Sequence, residues 1–234
     1  MTRRLAVCRA GVPSGVVAIP VRTRVIAPGD DLPRLIEDAT RNIARAGDVV
    51  AISETAVAIA QGQFVVAEYV RPSRLAYALS RHAGAMATVS QPESLQLAID
   101  SVGMPKVVYA AALQVLGRLV GRRGMFYEVM GEAIAAIDGY TGTLPPYERA
   151  IVLAPRDPDA FAQSVFERIG AGCVVVDAND LEKAKVLGAS TGVRRERVET
   201  ALLHNPHGNG DEQTPIVVLK WRGDGGNPLV ESAA

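Results

Sequence analysis

The run Gly172-Cys173-Val174-Val175-Val176-Asp177 constrains the fold more than any other stretch of this chain. A short, continuous apolar segment rich in Val predicts a buried strand, and this one ends on a carboxylate. Val49-Val50-Ala51-Ile52-Ser53 has the same character, and Val16 to Val21 is a third apolar run. Between them lie helical patterns. Asp30 or Asp31 is a suitable N-cap for a helix from about Leu32 to Ala46, with apolar residues at Leu32, Leu35, Ile36, Ala39 and Ile43. Pro72 and Ser73 open a helix towards His82, and another runs from Gln91 to Ile99. Ala111 to Leu119 is a fourth, rich in strong helix formers. Asp157-Pro158-Asp159 precedes a helix from about Ala160 to Ile169. Phe64-Val65-Val66, Ala150 to Leu153 and Pro215 to Trp221 complete the strands. Strands and helices alternate irregularly, without a repeated unit, so the expected class is mixed α/β (α+β).

Composition supports a folded interior and excludes some functions. Hydrophobic residues make up 48% of 234, ample for a core at roughly 25 cal/mol per Å² of buried apolar area. Lys plus Arg number 25, as do Asp plus Glu. A neutral chain has no global field to hold a phosphate backbone, which argues against nucleic acid as partner. Val107 to Val120 is interrupted by Gln114, Gly117 and Arg118, too short and polar for a membrane span. Cys8 and Cys173 both sit in apolar company and read as buried, inert thiols. No signal peptide is evident, so a cytoplasmic location is expected.

Two aspartates occupy positions suited to chemistry. Asp177 lies where an apolar strand meets a loop, the place where ligands bind in open α/β sheets. A carboxylate there can hold Mg²⁺ or Mn²⁺ together with phosphates, or it can cap a helix from Leu181 to Leu187. Asp138 opens Asp138-Gly139-Tyr140-Thr141-Gly142-Thr143, where glycines let backbone amides approach an anion. An Asx-turn in a surface loop is its other reading. His204, His207 and Asp211 form a third, weaker constellation for a transition metal. The phosphate-loop, dinucleotide and Gly-x-Ser-x-Gly motifs are absent.

The order of several blocks resembles a known family. Pro20-Val21, then Gly29-Asp30-Asp31-Leu32, Gly47-Asp48-Val49-Val50, Glu54-Thr55 and Gln61-Gly62 resemble the N-terminal part of coenzyme F420-0:L-glutamate ligase. That enzyme is the γ-glutamyl ligase of deazaflavin coenzyme biosynthesis. Ile137-Asp138-Gly139, Leu153 to Asp159, Val175 to Asn179 and Leu187-Gly188-Ala189 resemble its later blocks, in order. The resemblance implies a two-part mixed α/β fold over residues 1–222 as a single γ-glutamyl-ligase-like domain, with 223–234 a flexible tail. It implies a homodimer that adds an amino acid to a small-molecule carboxylate acceptor through an acyl phosphate, at the expense of GTP or ATP. Asp138 and Asp177 match the family's metal-binding aspartates, expected to hold Mg²⁺ or Mn²⁺. Thr23, Arg24, Val25 and Ile26 match its nucleotide-contacting segment, and Glu54 and Thr55 a further nucleotide contact. The chain departs from the pattern in four places: Ile59 stands where the family has a phosphate-contacting lysine, Ala178 where it has a threonine, Gly139-Tyr140-Thr141-Gly142 follows Asp138 in place of Ala-Ser-Asn, and the stretch between Gly192 and His204 is shorter. A homologue that kept the fold and lost the ligase site is the competing expectation.

Overall fold

A computed structural model describes residues 15–82, 90–122, 124–131, 137–139, 145–179, 182–208 and 212–231, with the Asp138 side chain outside that set. The chain forms two compact units. One, the sheet unit, is built from Met1–Gly62 and Pro155–Ala234; the other, the helical unit, is Gln63–Ala154. Its described elements are mixed α and β, as expected.

The sheet unit holds β1 (Val16–Val21), α1 (Leu32–Thr40), β2 (Val49–Ser53) and α2 (Glu54–Ala60). After the helical unit come α7 (Pro158–Ile169), β6 (Gly172–Asn179), β7 (Lys183–Ala189), α8 (Arg195–Leu202) and β8 (Ile216–Trp221). Its five-stranded sheet has the order β1-β8-β2-β6-β7. Only β2 and β6 run parallel; the other pairs are antiparallel. These two central strands are the two strongest apolar runs, because both of their faces are covered. Val49, Ala51, Val174, Val176, Val217 and Leu219 face one core with Val198, Ala201 and Leu202 of α8. Val50, Ile52, Cys173 and Val175 alternate to the other face, where α7 lies on β6 and β7 and against α1. Pro20 is tolerated because β1 is an edge strand.

The sheet unit overturns three local expectations. The helix from Leu181 to Leu187 is instead β7, an antiparallel hairpin partner of β6. α1 ends at Thr40, and Asp48 accepts the Arg45 N–H (2.8 Å) in the turns that follow. Past Arg222, where a flexible tail was expected, Leu229 is 1% exposed, its carbonyl accepts the Arg194 N–H, and Val230 bridges Val193.

The helical unit contains β3 (Phe64–Val66), a 3₁₀ turn (Ala67–Tyr69), α3 (Arg74–Ser80), α4 (Pro92–Val102), α5 (Met104–Leu119), α6 (Met125–Met130), β4 (Ile137–Asp138) and β5 (Ala150–Leu153). The three strands pair antiparallel in the order β3-β5-β4. Ser73 caps α3, its hydroxyl accepting the Ala76 N–H at 3.2 Å. Leu95, Ala98 and Ile99 of α4, Val107 and Ala110 of α5, and Phe126 and Met130 of α6 form the core with Ile137 and Ile151.

Candidate functional site at the carboxyl edge of the sheet

The register of the central strands decides which sequence candidates meet. In the parallel β2–β6 pair, Ser53 lies opposite Val176. One residue past Ser53, Glu54 opens α2, and one residue past Val176 in β6 stands Asp177, so two of the expected site residues lie at the same end of the sheet. The same edge receives the end of β1, since Val21 pairs with Ile216 of β8 and Ile52 pairs with the same residue. The segment after β1 is tied there as well: the Thr23 N–H donates to Gln213 O (3.0 Å), and the Ser53 N–H to Pro215 O (2.9 Å). Thr23 to Ile26, Glu54, Thr55 and Asp177 therefore share one end of the sheet.

The segment after β1 is held by its own charges. Arg24 grips Asp30 with both terminal nitrogens, at 2.6 and 2.8 Å, and Asp30 also accepts the Ala27 N–H at 2.8 Å. The Arg24 hydrogen bond and the Ala27 amide hold the Asp30 carboxyl below its ordinary range. The Gly29 N–H donates to Ala60 O (2.8 Å), fastening the loop to α2. Ile26 points into the core, whereas Arg24 and Val25 are exposed. Thr55 is half-buried in the first turn of α2, and Ile59, further along, is buried at 7% exposure.

Asp177 is paired with Lys185 across the β6–β7 hairpin, and Asn179 with Lys183. Alternation puts these four side chains on the face of Cys173 and Val175. The Asp177 side chain reaches solvent, yet enough protein surrounds it that desolvation raises its carboxyl pKa, while the Lys185 charge pulls it back. Lys185 was not a sequence candidate. Its place depends on the hairpin register, which a helical reading of residues 181–187 conceals.

Asp138 belongs to the helical unit, in β4 opposite Val152; its side chain lies outside the described residues, as do Tyr140 to Thr143. His207 is buried, with Nδ1 3.2 Å from Thr214 O. A carbonyl can only accept, so Nδ1 carries the hydrogen and Nε2 presents a lone pair, without a partner among the described residues. Burial lowers its pKa to about 4. His204 lies 3.8 Å from Glu182, and Asp211 is outside the described residues. Among the described residues no group of three or more His, Cys, Asp and Glu side chains could hold a metal ion.

An open depression of about 430 Å³ lies at the far end of β7, lined by Asp159, Gln163, Ser190, Thr191 and Arg195. Its polar groups are occupied: Asp159 accepts the Ala189 N–H and pairs with Arg195, and Gln163 accepts the Thr191 N–H. The carboxyl edge is the better candidate.

A family model for F420-0:gamma-glutamyl ligase matches residues 20–179. The chain belongs to that family. The match begins in β1 and ends on the last residue of β6, so it contains Thr23 to Ile26, Glu54, Thr55, Asp138 and Asp177. Membership points to γ-glutamyl ligation in F420 biosynthesis, and so to small-molecule substrates. No curated protein matches the chain. No helix among the described residues is long and apolar enough to cross a membrane.

Proposed function

We propose that this family member is a divalent-cation- and nucleotide-dependent ligase that joins glutamate to a carboxylate acceptor through an acyl phosphate. The observation that carries the reading is that Asp177, Glu54 at the start of α2, and the Thr23–Ile26 segment lie at one end of the sheet, just past the parallel Ser53–Val176 pair. A partly desolvated carboxylate, with a second one at the start of the helix that follows the neighbouring strand, is the hard oxygen chemistry that Mg²⁺ or Mn²⁺ takes. Mg²⁺ in particular is commonly held by one or two carboxylates plus phosphate oxygens and waters, so a full protein cage is not required. Asp177 is assigned as a ligand on these grounds and Asp138 on the family resemblance, each tested separately.

In the proposed reaction the acceptor carboxylate attacks the terminal phosphorus of GTP or ATP, and the nucleoside diphosphate leaves. The glutamate amine then attacks the acyl carbon, expelling phosphate and losing a proton. A bound cation would spread the charge of the transferring phosphoryl group. The chain's own residues supply binding and orientation: the Thr23–Ile26 backbone and Thr55 for the nucleotide, and Asp177 for the phosphate-linked cation. Lys185 offers the positive charge that buried Ile59 cannot present to a phosphate.

Isothermal titration of GTP and of ATP in the presence of Mn²⁺ tests the site. Binding by the wild type, weakened at least tenfold in Asp177→Asn and in Asp138→Asn, is the expected result. No binding by the wild type, or unchanged binding in both variants, refutes it. The burial of Ile59 and the Ala178 replacement favour the second reading, a homologue that binds a ligand without catalysis. Glutamate-dependent release of phosphate with any carboxylate acceptor separates the two, since a non-catalytic homologue releases none.

A further inference from the structure

The connection from α8 to β8 is pinned by one buried imidazole. α8 ends on Leu202, which is fully buried in the core of the sheet unit. The Asn205 N–H donates to Leu202 O (2.9 Å) and the Gly208 N–H to Asn205 O (3.1 Å), so the chain turns at once and carries His207 inward. Asn205 makes that turn at φ +42, in the left-handed region that Asn tolerates better than most residues. His207 and Thr214 then hold each other twice. The imidazole Nδ1–H donates to Thr214 O (3.2 Å), and the Thr214 hydroxyl donates to His207 O. The two bonds close the loop at its base.

What this tie holds is the carboxyl edge of the sheet. Thr214 stands between the two residues whose carbonyls do the fastening there. Gln213 O accepts the Thr23 N–H at 3.0 Å, and Pro215 O accepts the Ser53 N–H at 2.9 Å. Thr23 begins the segment expected to contact the nucleotide, and Ser53 is the N-cap of α2, directly before Glu54. Gln213 sits at φ +54, a conformation unfavourable for a residue with a Cβ, which persists where the surroundings over-determine it. Thr214, fixed by His207 and leading through Pro215 into β8, supplies that constraint. Burial gives a further reason to assign His207 a role. The side chain is 8% exposed, and its Nε2 has no partner among the described residues. An aliphatic side chain would fill the same space with less desolvation. What the imidazole adds is the N–H aimed at Thr214.

We propose that His207 is a positioning residue of the candidate site. Through Thr214 it sets the Gln213 and Pro215 carbonyls, and through them the Thr23–Ile26 segment and the start of α2. The consequence for nucleotide affinity rests on the ligase reading; the placement of the backbone does not. Amide hydrogen exchange, followed residue by residue in the full chain, tests the placement. The Gly172 N–H, bonded to Asp48 O at the opposite end of the same sheet, is the internal control. His207→Leu should speed exchange at Thr23 and Ser53 by about tenfold or more and leave Gly172 unchanged. His207→Asn, whose side-chain N–H lies near the Nδ1 position, should restore slow exchange. Titration of GTP with Mn²⁺ should follow the same order, weaker by about tenfold in His207→Leu and close to wild type in His207→Asn. If His207→Leu fails to fold, Thr214→Val decides: it keeps the carbonyl, loses the hydroxyl bond, and should speed the same two amides. No change at Thr23 and Ser53, or equal acceleration at all three amides, overturns the proposal. So does wild-type nucleotide affinity in a folded His207→Leu protein. A wild type that binds no nucleotide refutes the ligase reading, and the exchange rates then decide the placement by themselves.

Discussion

Asp177 and Lys185 oppose each other across a hairpin, and the Lys185 charge acts on the Asp177 carboxyl. Desolvation raises the Asp177 carboxyl and Lys185 lowers it. If Asp177 holds a cation, protonating it must release that cation. Mn²⁺ affinity should therefore fall on acidification at a higher pH than an ordinary carboxylate would show. Lys185→Met should move the fall to still higher pH, because a positive charge that favours the ionised form has gone. Titrating Mn²⁺ from pH 4 to 8 in both proteins reads the shift, and a Lys185→Met profile displaced to lower pH contradicts it. His207 gives a stability signal of its own. Its folded pKa of about 4 lies below the ordinary 6.5, so between those values the unfolded chain binds the extra proton. Stability from this group is complete above pH 6.5 and is lost as pH falls towards 4, by up to about 3 kcal/mol. Urea unfolding at pH 7 and pH 5 measures the loss, and His207→Gln should flatten it.

At the scale of elements, β7 shows how packing decides what local propensity leaves open. Gly188 lies opposite Val175, and a Cβ there would come within 2.2 Å of the Pro158 backbone at the start of α7. The contact is with backbone, which cannot swing aside. Gly188→Ala should cost about 3 kcal/mol, measured as a lower urea midpoint at unchanged slope; a loss under about 0.5 kcal/mol, the range of a neutral surface change, would refute it. β2 and β6 were legible in the sequence because strands covered on both faces must be apolar throughout. β7 was not: Lys183, Ala184, Lys185 and Val186 do alternate, but the Ala and Lys content suits a helix, and pairing with β6 decides otherwise. α8 went unread for a related reason. Only Val198, Ala201 and Leu202 of its eight residues are buried, an i, i+3, i+4 pattern carried by three side chains among charges. The candidate site divides along the same line. Asp177 could be found as a carboxylate closing an apolar run and Glu54 through the family resemblance, whereas the place of Lys185 is set by strand register. His207 was visible as a histidine, but its burial was not.

At the scale of the whole molecule, the helical unit is one continuous insertion between the two halves of the sheet unit. The two points where it leaves and returns are clamped together within the sheet unit. Gln61 Nε2 donates to Arg156 O at 3.0 Å, and the Arg156 N–H donates to Gln61 Oε1 at 2.6 Å. Neither bond needs any residue from 63 to 154. The sheet unit also has its own core, in which the β2, β6 and β8 side chains meet α8 and Leu229. A domain whose chain ends are already adjacent tolerates removal of what lies between them, provided the new link is short and unstrained. Replacing residues 63–154 by about four Gly/Ser residues should thus leave a protein with a cooperative thermal transition and a far-UV spectrum of mixed helix and strand. A broad, non-cooperative melt with strong dye binding to exposed apolar surface would show that the sheet unit depends on the insertion. The shortened protein keeps Glu54, Asp177 and Lys185, so any Mn²⁺ it binds should still be lost in Asp177→Asn.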